Sequence, residues 1–198
     1  PWLLDRIETL LTGAQSEVLL TTPYFVPGIP GLKILTDLAA RGVSVKVLTN
    51  SLAATDLFPV HAAYRSYRMP LVAAGAELYE YAPPRGARRK RALLHSKIFI
   101  VDSSQALVGS HNFDLRSAYI NIELGLLFRE PELVAELRAL FVHQTHPANA
   151  FSVTTRNGSL HWNIAEDGRT GSETAEPEAS LFRRLASGLI ARMPHDWF

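Results

Sequence analysis

The stretch LHSKIFIVDSSQALVGSHNFDLRSAYINIELG, residues 94–125, decides how the chain folds. Side chains along a strand alternate between its two faces. Over 94–102 this puts His95, Lys97, Phe99 and Val101 on one face and Ser96, Ile98, Ile100 and Asp102 on the other. A second apolar run, 106–110, follows after only Ser103-Ser104-Gln105, so the two runs read as a hairpin. A third strand is expected over 120–128, where Ile120, Ile122, Leu124 and Leu126 alternate with Asn121 and Glu123. A helix over 132–143 follows.

Upstream the pattern is different. Apolar spacing predicts helices over 2–13, 32–41 and 59–74, closed by Gly13, Gly42 and Gly75. Strands are expected over 17–22, 43–49 and 77–81, with the rigid loop Pro23-Tyr24-Phe25-Val26-Pro27-Gly28 after the first. Strands alternating with helices indicate parallel crossovers. Joined to the hairpin, they give an α/β fold: a mixed, mostly parallel sheet flanked by helices. After residue 147 the chain reads as an appendage. Asn157-Gly158 marks a hairpin between 151–156 and 159–164, and an amphipathic helix over 177–193 carries Leu181, Leu185, Leu189 and Ile190 on one face. The expected organisation is a domain over 1–146, with 147–198 packed on it as hairpin and helix.

The 198 residues, 47% of them hydrophobic, can bury a sizeable core, which excludes a disordered, collagenous or coiled-coil chain. The absence of cysteine excludes disulfides, thiol catalysis and thiolate-bound metals. No apolar run reaches the roughly 18–20 residues of a bilayer-spanning helix, and no leader is evident at Pro1, which reads as the start of a piece of something longer. The net charge of +1 is a cancellation: residues 1–99 carry +5 and residues 100–198 carry −4. Sixteen of the twenty cations are arginine, and Arg85, Arg88, Arg89, Lys90 and Arg91 form a run just before His95. Arginine forks match phosphate oxygens, so this run is a candidate contact for anionic headgroups or a nucleic-acid backbone.

Within 94–125, a lysine sits two residues after a histidine on one face, where an alternating strand should carry an apolar side chain. An imidazole can act as nucleophile or general acid–base near neutrality, and an ammonium can hold a phosphoryl oxygen. Gly109 allows close backbone approach, and Ser110 and Asn112 supply uncharged donors at a strand end. Glu123 faces water or a buried partner, and His95 is a natural one.

Taken together the spacing is H-x-K-x4-D-x6-G-S-x-N, with Glu123 thirteen residues after Ser110. This resembles the phospholipase D superfamily signature. The segments TPYFVPG (22–28), VLTNSLAATD (47–56), VHAAYRSYR (60–68) and LVAAGAELYEY (71–81) look like the second half of bacterial C-type cardiolipin synthases, and the tail is similar in style. The resemblance implies a phospholipase D-like fold, with His95 as the catalytic histidine, Lys97 and Asn112 as phosphate-oxygen ligands, and Glu123 orienting His95. It also implies Ser110 as a small hydroxyl near the site, and Asp102 as a motif residue in a structural, hydrogen-bonding role. Tyr24, Asn50 and His61 are expected nearby, with Tyr24, Arg88, Arg89, Lys90 and Arg91 touching substrate.

The implied chemistry is phosphatidyl transfer through a phosphohistidine, with no metal or cofactor. Two motifs face each other, one histidine attacking phosphorus and the other moving the proton. One motif is present here, so the chain reads as one half of a two-motif site in cis, with His95 as general acid–base. A homodimeric single-motif nuclease, in which His95 takes either role, is the alternative. A phosphate-binding half-domain without turnover is a further one. Expected partners are phosphatidylglycerol, with phosphatidylethanolamine as a second candidate, and a bacterial inner membrane contacted peripherally from the cytoplasmic side. Nucleic acid is the less favoured substrate.

Overall fold

The structure is a computed structural model and describes residues 2–82, 93–166 and 169–190. In chain order the elements are α1 (Trp2–Thr12), β1 (Glu17–Thr21), β2 (Phe25–Val26), α2 (Gly28–Ala40), β3 (Ser44–Asn50), α3 (Phe58–Ala73), β4 (Glu77–Tyr81), β5 (Ile98–Val101) and β6 (Gln105–Gly109). They continue as β7 (Phe113–Asp114), α4 (Leu115–Tyr119), β8 (Gly125–Phe128), α5 (Pro131–Gln144), β9 (Ala150–Arg156), β10 (Ser159–Glu166), β11 (Arg169–Glu173) and α6 (Leu181–Ile190).

Nine strands form one sheet in the order β11-β10-β9-β4-β3-β1-β5-β6-β8. The sheet is mixed, with its parallel part confined to β4–β3–β1 and the other neighbours antiparallel. The central strands β1 and β3 are buried over most of their length, on both faces of the sheet. Val18, Leu20, Val45, Val47, Phe99 and Val101 face a core shared with α1, α2 and α3. Leu19, Leu48, Ile98 and Ile100 face the opposite side, where α5 contributes Val134 and Phe141. The two-stranded β2–β7 pair ties the loop after β1 to the segment after β6.

The tail is knitted into the sheet. Strand β9 pairs with β4, placing Glu80 opposite Phe151. Beneath this pairing lies a buried polar network. Arg68 of α3, 1% exposed, donates to Glu80 Oε1 (2.7 Å) and Glu176 Oε1 (2.8 Å), and lies 4.6 Å from the Tyr64 ring and 5.2 Å from that of Trp162. Glu80 also accepts from Tyr64 Oη (3.0 Å) and Trp162 Nε1 (2.9 Å). Burial alone would lower the guanidinium pKa, but Glu80 and Glu176 more than reverse this. Burial, then Arg68, holds His61 well below the usual histidine range, so its neutral Nε2 accepts from Arg68 Nη2 (3.1 Å). His61 is thereby a member of this network.

Several expected elements differ. The strand expected over 94–102 is regular only in β5, because β1 ends at Thr21, opposite Ile98, and offers no partner further along. His95 and Lys97 therefore precede the strand. The strand expected over 120–128 is regular only in β8; the short helix α4 and a turn occupy the segment before it. A third tail strand, β11, pairs with β10 in addition to the expected hairpin. The final helix turns its leucines outward rather than into a core. The run containing Arg85, Arg88, Arg89, Lys90 and Arg91 lies outside the described residues.

Candidate active site

The candidate site sits at one end of the sheet, where β1 and β3 finish and β5 begins. Ligand sites in α/β sheets favour the carboxyl ends of parallel strands. Asn50, the last residue of β3, is buried and bridges two incoming loops. Its Nδ2 donates to Leu94 O (3.0 Å) and Pro23 O (3.4 Å), and its Oδ1 accepts from Leu94 N (3.1 Å). This fixes the backbone next to His95 without a strand ladder. The His95 side chain is exposed, its ring edge-on to Tyr24 with centroids 6.2 Å apart. Tyr24 donates in turn to both carboxylate oxygens of Asp56 (3.1 and 3.2 Å). Burial, reinforced by Asp56, pushes the Tyr24 hydroxyl up to about 12.

Lys97 is buried, and its Nζ donates to His95 O (2.7 Å). Burial lowers its pKa, while Glu123, Asp114 and Asp56 pull the other way. An ammonium largely out of water and facing carboxylates is well suited to meet a phosphoryl oxygen. Gly109 closes β6 with its backbone against Leu124 and Gly125; a Cβ there would come 2.8 Å from Gly125 Cα. Only glycine fits that approach.

Beyond Gly109, Ser110 N donates to Leu124 O (2.9 Å) and Ser110 Oγ accepts from Leu124 N (2.9 Å). Ser110 Oγ also donates to Glu123, which accepts from Asn121 Nδ2 (3.1 Å) as well. Burial alone would raise the Glu123 pKa; the donors Ser110, Ser117 and Asn121 outweigh it and hold the carboxylate below its usual range. The Asn112 backbone N–H donates to Ser117 Oγ (3.1 Å), and its side-chain Oδ1 is buried without a hydrogen-bond partner. Asp114 caps α4 by accepting from Ser117 N (2.7 Å).

The structure thus brings together His95, Lys97 and Tyr24 on one side, and Ser110, Asn112 and Glu123 on the other. One motif residue differs from expectation. Among the described residues no hydrogen bond joins Glu123 to His95, because β6 lies between β5 and β8 and directs Glu123 to Ser110 instead. Asp102 stands at the opposite end of β5 from His95. Its carboxylate accepts from Gln15 N, Ser16 N, Ser16 Oγ and Glu17 N at 2.7–3.1 Å, anchoring the α1–β1 loop. Sequence reasoning missed Asp56 and Ser117. The spacing Asp114-x-x-Ser117 is a helix-start signal that could have located both α4 and Ser117; nothing near Asp56 advertises it.

Residues 7–145, more than half of the chain, match the family model described as "Cardiolipin synthase, PLD-like domain". The chain belongs to this PLD-like family. Cardiolipin synthase C of Escherichia coli is 29% identical over 203 residues, covering 98% of this chain and 43% of that protein. An uncharacterized protein of Helicobacter pylori is 32% identical over 184 residues, covering 90% of this chain and 36% of its own length. The chain therefore spans about two fifths of the length of these curated relatives. Among solved structures, Nuc, a phospholipase D family member from Salmonella typhimurium, shares the fold with a TM-score of 0.59 at 18% identity, covering 73% of this chain and 87% of Nuc. Among the described residues of this PLD-like chain no helix is long and apolar enough to cross a membrane.

Proposed function

We propose that this PLD-like chain is one half of a two-motif phosphatidyltransferase acting on phospholipids, with phosphatidylglycerol as substrate. The observation that carries the reading is the gathering of an exposed imidazole, a desolvated ammonium and the Asn112 side chain, whose Nδ2 is the group able to donate to a phosphoryl oxygen, at one end of the sheet. In this reading Lys97 and Asn112 hold the equatorial phosphoryl oxygens and stabilise charge that grows in the transition state. His95 protonates the departing alkoxide, then takes the proton of the incoming alcohol as it attacks phosphorus. The nucleophilic histidine comes from the second motif. Ser110 and Glu123 stiffen the segment that carries Asn112, and Tyr24 sets the orientation of the His95 ring.

An uncovered apolar edge supports pairing with a second motif-bearing half. Ile120, Ile122, Leu124 and Leu126 are all exposed beside Glu123, and β8 is an outer strand of the sheet. An exposed apolar edge of this kind calls for a cover. The cover is the other half in cis or, in the alternative of a homodimeric nuclease, a second copy. Contact with a bacterial inner membrane from its cytoplasmic side belongs to the first reading, as does contact of Arg88, Arg89, Lys90 and Arg91 with anionic headgroups.

The test supplies the complete gene product with phosphatidylglycerol vesicles, with and without phosphatidylethanolamine, and follows diphosphatidylglycerol by mass spectrometry. Product is expected, and the H95A variant should form none. Cleavage of DNA without any lipid product would overturn the reading in favour of the nuclease.

A further inference from the structure

The last helix is mounted inside out. Leu181-Phe182-Arg183-Arg184-Leu185-Ala186-Ser187-Gly188-Leu189-Ile190 separates into an apolar stripe and a polar stripe, and in a water-soluble fold the apolar stripe faces the protein. Here the polar side faces inward. Ser187 is fully buried and accepts from Arg65 Nη1 of α3 (3.2 Å). Arg184 Nε donates to Glu176 O (3.0 Å). Arg183 reaches furthest: Nη1 donates to Leu52 O (2.7 Å) and Ala53 O (3.3 Å), and Nη2 to Thr55 O (3.5 Å). The apolar side chains point to solvent, with Leu181 70% exposed, Phe182 80%, Leu185 67% and Leu189 70%.

The carbonyls that Arg183 holds belong to the loop after β3, at the same end of the sheet as His95 and Lys97. The next residue of that loop, Asp56, accepts from Tyr24, whose ring lies against His95. The outward apolar stripe is thus carried by a helix fastened to the site loop. We infer that α6 is an interfacial helix: it lays Leu181, Phe182, Leu185 and Leu189 in the plane of a phospholipid bilayer and, through Arg183, holds the mouth of the site toward that surface.

Two features favour a bilayer as the occupant. Over its described residues the helix is ten residues long, short of a span, and its stripe of leucine and phenylalanine suits shallow insertion. Its two arginines are committed to the protein, so the stripe is held outward rather than left there by a loosely docked tail. The choice also rests on the lipid substrate proposed above, since a site that works on bilayer lipid must meet the bilayer on one face.

Flotation with vesicles of phosphatidylglycerol and phosphatidylethanolamine tests the inference without requiring turnover. High salt removes the electrostatic contribution of the arginine-rich run. The full chain should float, and L185E/L189E should reduce the bound fraction by about tenfold or more. A second variant, L181S/F182S, should do the same. All four positions are exposed, so the unfolding temperature of both variants should match the parent, which excludes misfolding as the cause. Flotation of both variants at the parent level would overturn the inference. So would a parent that stays unbound yet forms a dimer that L185E/L189E dissociates, because the stripe would then be a protein interface. Vesicle binding through α6 with no diphosphatidylglycerol from the complete gene product would count against the proposed reaction alone.

Discussion

Replacing Arg68 with alanine should lower the unfolding temperature by about 10 °C in a single cooperative transition. Arg68 is fully buried and neutralises two carboxylates, Glu80 and Glu176, themselves buried. Removing one member of a buried ion pair leaves uncompensated charge and costs about 3–5 kcal/mol. With an unfolding entropy of roughly 2.1 cal/mol/K per residue, 198 residues give about 0.4 kcal/mol/K, so a loss of about 4 kcal/mol corresponds to about 10 °C. Burial already raises the Glu80 pKa against the opposing pull of Arg68, and in the variant Glu80 must take up a proton or water. The triple variant R68M/E80Q/E176Q removes the three buried charges together, leaving only the part-exposed Arg65 without its Glu176 partner, and should recover most of the loss, since buried ion pairs and neutral replacements of similar volume are often near equal. Calorimetry measures both. The network spans α3, β4, β10 and the segment before α6, so the proposed organisation, with 147–198 packed on 1–146, implies one transition rather than two. A shift under about 2 °C, or separate melting of the tail, would refute the reasoning.

Three other predictions concern the site end and the motif. Asp102→Asn should destabilise by about 1–3 kcal/mol while leaving turnover intact below the melting temperature, because the carboxylate accepts four hydrogen bonds remote from His95. Burial alone would raise the Asp102 pKa, but these donors hold it below the usual aspartate range. Its contribution is therefore present above about pH 4 and lost as the pH falls through the depressed folded value, so parent and variant unfolding temperatures should converge in acid. Lys97→Met should lower kcat by about 10²–10³, as loss of one donor to a developing oxyanion does, with little change in unfolding temperature; a change in KM alone would contradict its role. Asn50→Leu removes both hydrogen bonds to the Leu94 backbone and should lower kcat together with stability by about 1–3 kcal/mol, read by steady-state assay and thermal melts.

The alternation of strands with helices through residue 81 was legible because each element carries its own period and its own glycine stop. The motif residues were legible from spacing. What the sequence concealed was set by distant partners. His95 and Lys97 continue the alternation of β5, yet whether a strand extends that far depends on β1, which ends at Thr21. Ile120, Ile122 and Leu124 alternate like a strand but face water, since alternation identifies an apolar face without saying what covers it. The same holds for α6: its stripes are plain in the sequence, but which one meets the protein is decided by Arg65 and by the carbonyls of Leu52, Ala53 and Thr55. Glu123 was paired with His95 by its chemistry and by the resemblance, and the strand order redirected it to Ser110.

The pairing of β9 with β4 has a consequence for synthesis. Residues 77–81 leave the ribosome some seventy positions ahead of the strand that covers their outer edge. Throughout that interval the nascent chain displays an open row of backbone donors and acceptors, with Glu80 awaiting Trp162. Closure across so long a loop is slow, and an unpaired edge can join a neighbouring chain in the meantime. Expression of versions truncated before residue 150 should therefore yield aggregates, because they lack the strand that covers this edge.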